Sequence, residues 1–244
     1  MAEGFREILA ARAAAFGMPL TNAQLEQCVR YSELLLTWNE RMNLTALTAP
    51  EDVAVKHIVD SLSAYDAPLF ARAKSLIDVG TGAGLPGIPL AIYAPEIEVT
   101  LMDALQKRVR FLTEVIEQLG LKNVVCVHAR AEAAARMHTY RAQYDIAVSR
   151  AVGRRAVLAA YARPIVSVGG TVRALKGRAY AAEMAEGRAA VEMRGGGGIA
   201  ARPVTLPGLD DVRAVLVIEK YRSTPRAYPR REGTPEKSPL RSCP

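Results

Sequence analysis

The chain has 244 residues, half of them apolar and 23% charged, with 32 Lys and Arg against 25 Asp and Glu. That balance excludes a disordered chain and suits one large domain with a small accessory part. The net charge of +7 admits polyanions as partners without choosing one. Glu3, Arg6 and Glu7 break the apolar stretch that an export signal needs, so the protein is expected in the cytosol. The longest charge-free run, Val79 to Pro95, holds four glycines and three prolines. It reads as a structured loop opening into a helix, not a membrane span. Cys28, Cys126 and Cys243 are scattered and suggest neither a disulfide framework nor a metal site.

From Phe5 to about Phe70 the apolar residues Leu25, Cys28, Tyr31, Leu35 and Trp38 fall at helical spacing, and about three helices are expected. Thr21 with Gln24 and Thr48 with Glu51 are spaced as capping boxes, with Pro50 near a first helical position. From Lys74 to Tyr221 short runs rich in β-branched residues alternate with helical patterns. The predicted strands are Ser75–Val79, Glu98–Met102, Val124–His128, Asp145–Ser149, Thr171–Leu175 and Ala214–Lys220. Helices are predicted near 86–94, 105–119, 131–142, 154–166 and 178–189. Such alternation calls for βαβ crossovers and a mainly parallel, doubly wound α/β sheet. Gly195 to Gly198 reads as a flexible turn, holding neither helix nor strand. From Arg222 to Pro244 come five prolines and six basic residues against two glutamates, the composition of an extended, partly mobile basic arm. The expected organisation is a helical region over 1–70, an α/β core over 71–221 and the arm over 222–244.

The strongest chemical signal is the run Leu76-Ile-Asp-Val-Gly-Thr-Gly-Ala-Gly-Leu-Pro-Gly-Ile-Pro-Leu, a glycine loop between a strand and a helix. Gly80, Gly82 and Gly84 permit positive φ and let a ligand approach the backbone closely. Asp78, just before the first glycine, would repel a pyrophosphate seated there, whereas a sulfonium and an ammonium suit it. The loop therefore favours S-adenosylmethionine over NAD, with Asp78 either touching the methionine part or stabilising the loop. Asp103 ends the next strand about 20 residues on, where an acid can bind both ribose hydroxyls or cap the following helix. Ala131 and Glu132 follow the third strand; they frame an adenine edge, or Glu132 is a plain first-turn acid. Arg150 closes the fourth strand at the ligand-binding edge of such folds. Lys176 closes the fifth there, with solvation as its simpler role.

Beyond the single pieces, Asn43-Leu-Thr45, Lys56-His-Ile-Val-Asp-Ser-Leu62, the loop from Asp78 to Pro89, Leu101 to Leu112, Arg130-Ala-Glu132, Ser149-Arg-Ala-Val152, Leu175-Lys-Gly177 and Thr224 to Pro235 stand in a specific order. Together they resemble the ribosomal RNA small subunit methyltransferase G family, also called glucose-inhibited division protein B, over most of the chain. The resemblance implies S-adenosylmethionine-dependent methylation of N7 of a guanine in bacterial 16S ribosomal RNA, conventionally nucleotide 527, in the small subunit or an assembly intermediate. It also implies a class I methyltransferase sheet with an antiparallel last strand. By position, the implied cofactor contacts are Gly80, Leu85, Ala131, Glu132 and Arg150, with Asp103 at the ribose. One departure is Ala104, where the family usually has Ser.

Guanine N7 carries an in-plane lone pair and no proton, so no catalytic base is expected, and no metal. Catalysis would rest on positioning. His57, His128 and His138 show no triad or metal spacing, and His57 reads as structural. Candidate phosphate contacts are Arg154, Arg155, Lys176, Arg178, Arg226, Arg230 and Arg231, with Tyr228 placed to stack on a base. Lys107, Arg108 and Arg110 are either contacts or a solvated helix face. Asn43 and Lys56 support the cofactor or RNA site, without the sequence saying which. A monomer is expected. The competing readings are a small-molecule methyltransferase and a non-enzymatic RNA-binding protein with a vestigial loop.

Overall fold

A computed structural model of the chain describes residues 2–150, 162–182, 184 and 196–229. The first block is helical, with α1 (Ala2–Ala15) and α2 (Asn22–Met42). Thr21 starts α2 with the reciprocal box, its hydroxyl accepting from the Gln24 amide while the Gln24 side chain accepts from the Thr21 amide at 2.9 Å. The second box does not form. Ala49, without a side-chain bond, precedes α3 (Pro50–Asp52). Pro50 supplies that start by itself, because its fixed φ suits the first turn and it has no amide hydrogen to cap. The helix runs on through a π-helical segment, Val53–Val59, into α4 (Asp60–Leu62), and α5 (Ala67–Phe70) follows.

Seven strands form one sheet: β1 (Ser75–Val79), β2 (Glu98–Asp103), β3 (Val124–His128), β4 (Tyr144–Arg150), β5 (Val166–Lys176), β6 (Gly196–Val204) and β7 (Arg213–Lys220). Their order is β3-β2-β1-β4-β5-β7-β6. The first five are parallel, and β7 runs antiparallel to both β5 and β6. Between strands lie α6 (Gly87–Tyr93), α7 (Gln106–Leu119) and the short α8 (Ala131–Ala134). The helix predicted to reach 142 stops early, and Arg141 turns back to donate to the Ala135 carbonyl at 3.0 Å. Most of the helix predicted near 154–166 lies outside the described residues, and Val166 already opens β5. Of the helix predicted near 178–189, residues 180–182 and 184 are helical; the rest lies outside the described residues.

The glycine stretch requires a correction. Gly196 to Gly198, read as a turn, begin β6, and Gly196 pairs with Lys220 ahead of a register shift at Ile199. Sheet ladders are made by the backbone, so an open edge on β7 recruits even residues with poor strand preference.

Strand alternation divides the core. Leu76 joins Phe5, Leu9, Tyr31, Leu35, Ile88 and Leu112 in one cluster, so the N-terminal helices share a core with one sheet face. Ile77 points the other way, into a cluster with Met102, Ala147, Val172 and Ile218. The helical block is thus packed onto the face beneath the glycine loop.

The start of the arm is also not free. Thr224 and Pro229 are buried, and Arg141 donates to the carbonyls of Tyr228 at 2.8 Å and Thr224 at 2.9 Å, while Arg136 donates to that of Pro229 at 3.0 Å. Charged donors supply what the prolines there cannot, because a proline offers only an acceptor. β7 ends at Lys220, beside the amino ends of the parallel strands, so residues 222–229 set out from the edge opposite Gly80, Asp103 and Arg150.

Candidate cofactor cleft

At the carboxyl ends of β1, β2 and β4 a cleft of about 420 Å³ is walled by Leu44, Thr45, His57, residues 80–83, Leu85, residues 103–105, Arg108 and Arg150. Its floor is the glycine loop, where Gly80, Gly82 and Gly84 adopt φ of 69°, 61° and 94°. Gly82 faces open space, whereas Gly84 packs against Ile88 and Leu112. Asp78 lies fully buried beneath. One of its oxygens accepts from the Thr81 hydroxyl at 2.7 Å and from the Gly87 amide at 2.8 Å, and the other has no partner. Burial pushes its carboxyl up to about 7, although the Thr81 and Gly87 bonds oppose this. Tyr31, from α2, donates to the Ala83 carbonyl at 2.7 Å and ties the loop to the helical block.

Asp103, 3% exposed, accepts from the Gly82 amide at 2.9 Å and from the Leu105 amide at 2.9 Å. It thus braces the loop and the approach to α7 while lining the cleft. Arg108 stands 3.4 Å from its carboxylate.

The opposite wall comes from the helical block. Asn43, left-handed at φ 50°, terminates α2, and Asn39 then accepts from the Thr45 amide at 2.8 Å. This turn delivers Leu44 and Thr45 to the cleft. In the π-helical segment the Asp60 amide bonds the Val55 carbonyl, where an α-helix would use that of Lys56. The Lys56 carbonyl instead accepts from Arg150 Nη1 at 2.8 Å. Arg150 also approaches His57 Nδ1 at 3.4 Å and the Asp60 carboxylate at 3.5 Å. Asp60 is buried, and its other oxygen meets Arg213 at 3.1 Å. Burial pushes the Asp60 carboxyl up, and Arg213 and Arg150 draw it back.

Comparison with known proteins decides the family. The model of the rRNA small subunit methyltransferase G family matches residues 24–201. The chain belongs to the rRNA small subunit methyltransferase G family. A relative of that name from Alkaliphilus metalliredigens is 45% identical over 92% of this chain and 94% of its own length. Another, from Leuconostoc citreum, is 46% identical over 92% and 94%. Solved structures agree on the fold. The S-adenosylmethionine-dependent methyltransferase SibL superposes with a TM-score of 0.54 at 17% identity, over 87% of this chain and 77% of that one. A predicted O-methyltransferase from Agrobacterium tumefaciens gives 0.52 at 23%, over 66% and 78%.

The fold brings together five of the residues singled out in the sequence: Gly80, Gly82, Leu85, Asp103 and Arg150 all line the cleft. Asp78 and Gly84 shape its floor from below. Ala131 and Glu132 start α8 on the same edge, one strand further out, and Glu132 is buried 3.6 Å from Arg130. Lys176 is half-buried at the end of β5, on the other side of the cleft next to β4, and Arg178 is exposed in the next turn. Arg226 and Tyr228 are separated from this group, at the other edge. Arg154, Arg155, Arg230 and Arg231 lie outside the described residues. Among the described residues, no cluster of metal ligands occurs and no helix is long and apolar enough to cross a membrane.

Sequence reading gave Lys56 a supporting place at the cofactor or RNA site without saying which, read His57 as structural, named Thr45 and Asp60 only inside the motifs Asn43–Thr45 and Lys56–Leu62, and did not single out Arg213. The i, i+3 spacing of His57 and Asp60, which puts both on one helix face, was the available signal.

Proposed function

We propose that this protein transfers the methyl group of S-adenosylmethionine to N7 of the guanine conventionally numbered 527 in 16S ribosomal RNA. The observation that carries this is membership of the methyltransferase G family together with a cleft at the carboxyl edge of the sheet. The cleft suits a cationic cofactor. A buried carboxyl, Asp78, underlies the loop where a dinucleotide would place phosphate, and a second, Asp103, lines the wall.

Gly80 and Leu85 hold the methionine side, Asp103 the ribose, and Ala131 and Glu132 the adenine edge, with Arg150 closing the opposite wall. The cofactor supplies a methyl group on a positively charged sulfur. The chain's own residues need only orient the guanine and exclude water, because N7 has a lone pair and no proton to lose. His57 supports this: Thr45 Oγ1 lies 2.8 Å from Nε2 and Arg150 lies against Nδ1, so neither nitrogen is free to act as a base.

Lys176 and Arg178 serve the RNA phosphates beside the cleft, and Arg154 and Arg155 are further phosphate contacts. Arg226, Tyr228, Arg230 and Arg231 serve a second contact to the RNA, and of these Arg226 and Tyr228 lie at the edge of the sheet away from the cleft. The protein acts as a cytosolic monomer on the small subunit or an assembly intermediate.

Labelled S-adenosylmethionine tests this with naked RNA, precursor particles and 30S subunits. Methylation at guanine 527 N7 is expected on at least one. Ribosomes from cells lacking the protein should be unmodified there; a retained methyl group would overturn the reading.

A further inference from the structure

We propose that Asp60 is a positioning residue for Arg150, and that its carboxylate fixes the direction of that side chain at the cleft by pinning it between α4 and β7. The proposal rests on the reading of Arg150 as a ligand contact.

Three observations carry it. Asp60 sits on α4, outside the cleft wall, yet is 3% exposed. Two cations reach this buried carboxylate and offset the cost of its burial: Arg150 on Oδ2 at 3.5 Å and Arg213 on Oδ1 at 3.1 Å. These cations arrive from different strands, β4 and β7, at the same edge of the sheet. Asp211 engages the other Nη of Arg213 at 3.2 Å, so that arginine is itself braced.

The remaining partners of Arg150 do not replace Asp60. The Lys56 carbonyl is neutral, and His57 is pushed down to about 4 by burial and by Arg150 itself, so it too is neutral. Asp60 is thus the negative charge in direct contact with Arg150 among the described residues. Without it, Arg150 and Arg213 repel each other across the gap that Asp60 fills, and the half-exposed side of the cleft offers Arg150 an outward rotamer in water. The sequence Lys56-His-Ile-Val-Asp60 then has one purpose along one helix face. Its first carbonyl, imidazole and carboxylate receive the same guanidinium.

The test is a double-mutant cycle on S-adenosylmethionine affinity, measured by titration calorimetry on the full chain. Asp60→Asn is expected to weaken binding about tenfold, or about 1.4 kcal/mol. Arg150→Gln should weaken it at least as much, and the double variant should match Arg150→Gln within about twofold. A purely structural Asp60 would give losses that multiply, which overturns the proposal. So does full affinity in Asp60→Asn while Arg150→Gln is impaired. Unchanged affinity in Arg150→Gln removes Arg150 from the ligand contacts and takes the proposal with it. If Asp60→Asn does not fold, Asp60→Glu replaces it in the cycle. Its carboxylate is displaced by one methylene, and the same outcomes apply.

Discussion

The guanidinium of Arg150 lies 3.4 Å from Nδ1 of His57, and that contact selects the form of the imidazole. A cation at Nδ1 requires an acceptor there, leaving Nε2 to donate to Thr45 Oγ1 at 2.8 Å. Burial first, and Arg150 second, push His57 down from 6.5 to about 4. A lowered histidine stabilises the fold fully above its unfolded value and loses that contribution as pH falls through the folded one. Between pH 7 and 4 the protein should therefore lose up to about 3 kcal/mol that a His57→Asn variant does not lose. Denaturant melts across that range measure it, and parallel losses in both proteins contradict the assignment.

Asp78 titrates with the opposite sign. Its carboxyl rises from 3.8 to about 7, chiefly through burial, so its contribution is fully present below the unfolded value and is lost as pH rises through 7. Relative to the native protein, Asp78→Asn should gain up to about 4 kcal/mol between pH 4 and 8. The same melts show it as converging or crossing stabilities.

Two substitutions probe the loop's support. A Cβ at Gly87 would lie 2.3 Å from Leu101 Cδ2 and 2.9 Å from Asp78 Oδ2, so Gly87→Ala should cost about 1–3 kcal/mol and weaken cofactor binding. Tyr31→Phe removes the donor to the Ala83 carbonyl, with a loss of about 1–2 kcal/mol and a looser loop. Thermal melts with calorimetric titration separate the two effects. A Tyr31→Phe protein with native stability and affinity would show the bond to be incidental.

The arm calls for point substitutions rather than truncation. Deleting 222–244 removes the carbonyls that receive Arg136 and Arg141, so lost activity would report damage to the fold as readily as lost RNA contact. Arg226 is exposed, and Arg226→Ala should leave stability within about 0.5 kcal/mol of native. If it touches phosphate, the salt dependence of RNA binding should fall by about one unit of slope. An unchanged slope excludes Arg226 from the interface.

The glycine loop was legible because its signals are local: β-branched residues for β1, glycines where φ is positive, and an acid next to them. The parallel strands were legible for the same reason, each being a short apolar run closed by turn residues. β6 was not. Its glycines carry no preference for a strand, and only the open edge of β7 gives them one. The second capping box failed because a capping-box spacing was present while Pro50 had already set the helix start.

By itself the sequence determined the alternation of strands and helices, the loop with Asp78 and Asp103, and, through its ordered motifs, the family. Tertiary structure alone decided that Arg150 meets Lys56 and His57, more than 90 residues away in the chain, and that the basic arm departs from the edge opposite the cleft. The physical reason is the same in both cases. Composition and spacing report what a residue prefers locally, whereas a partly buried guanidinium takes its partners from whichever carbonyls and carboxylates the sheet order brings within reach. An antiparallel β7 likewise returns the chain to the amino edge of the sheet at Lys220.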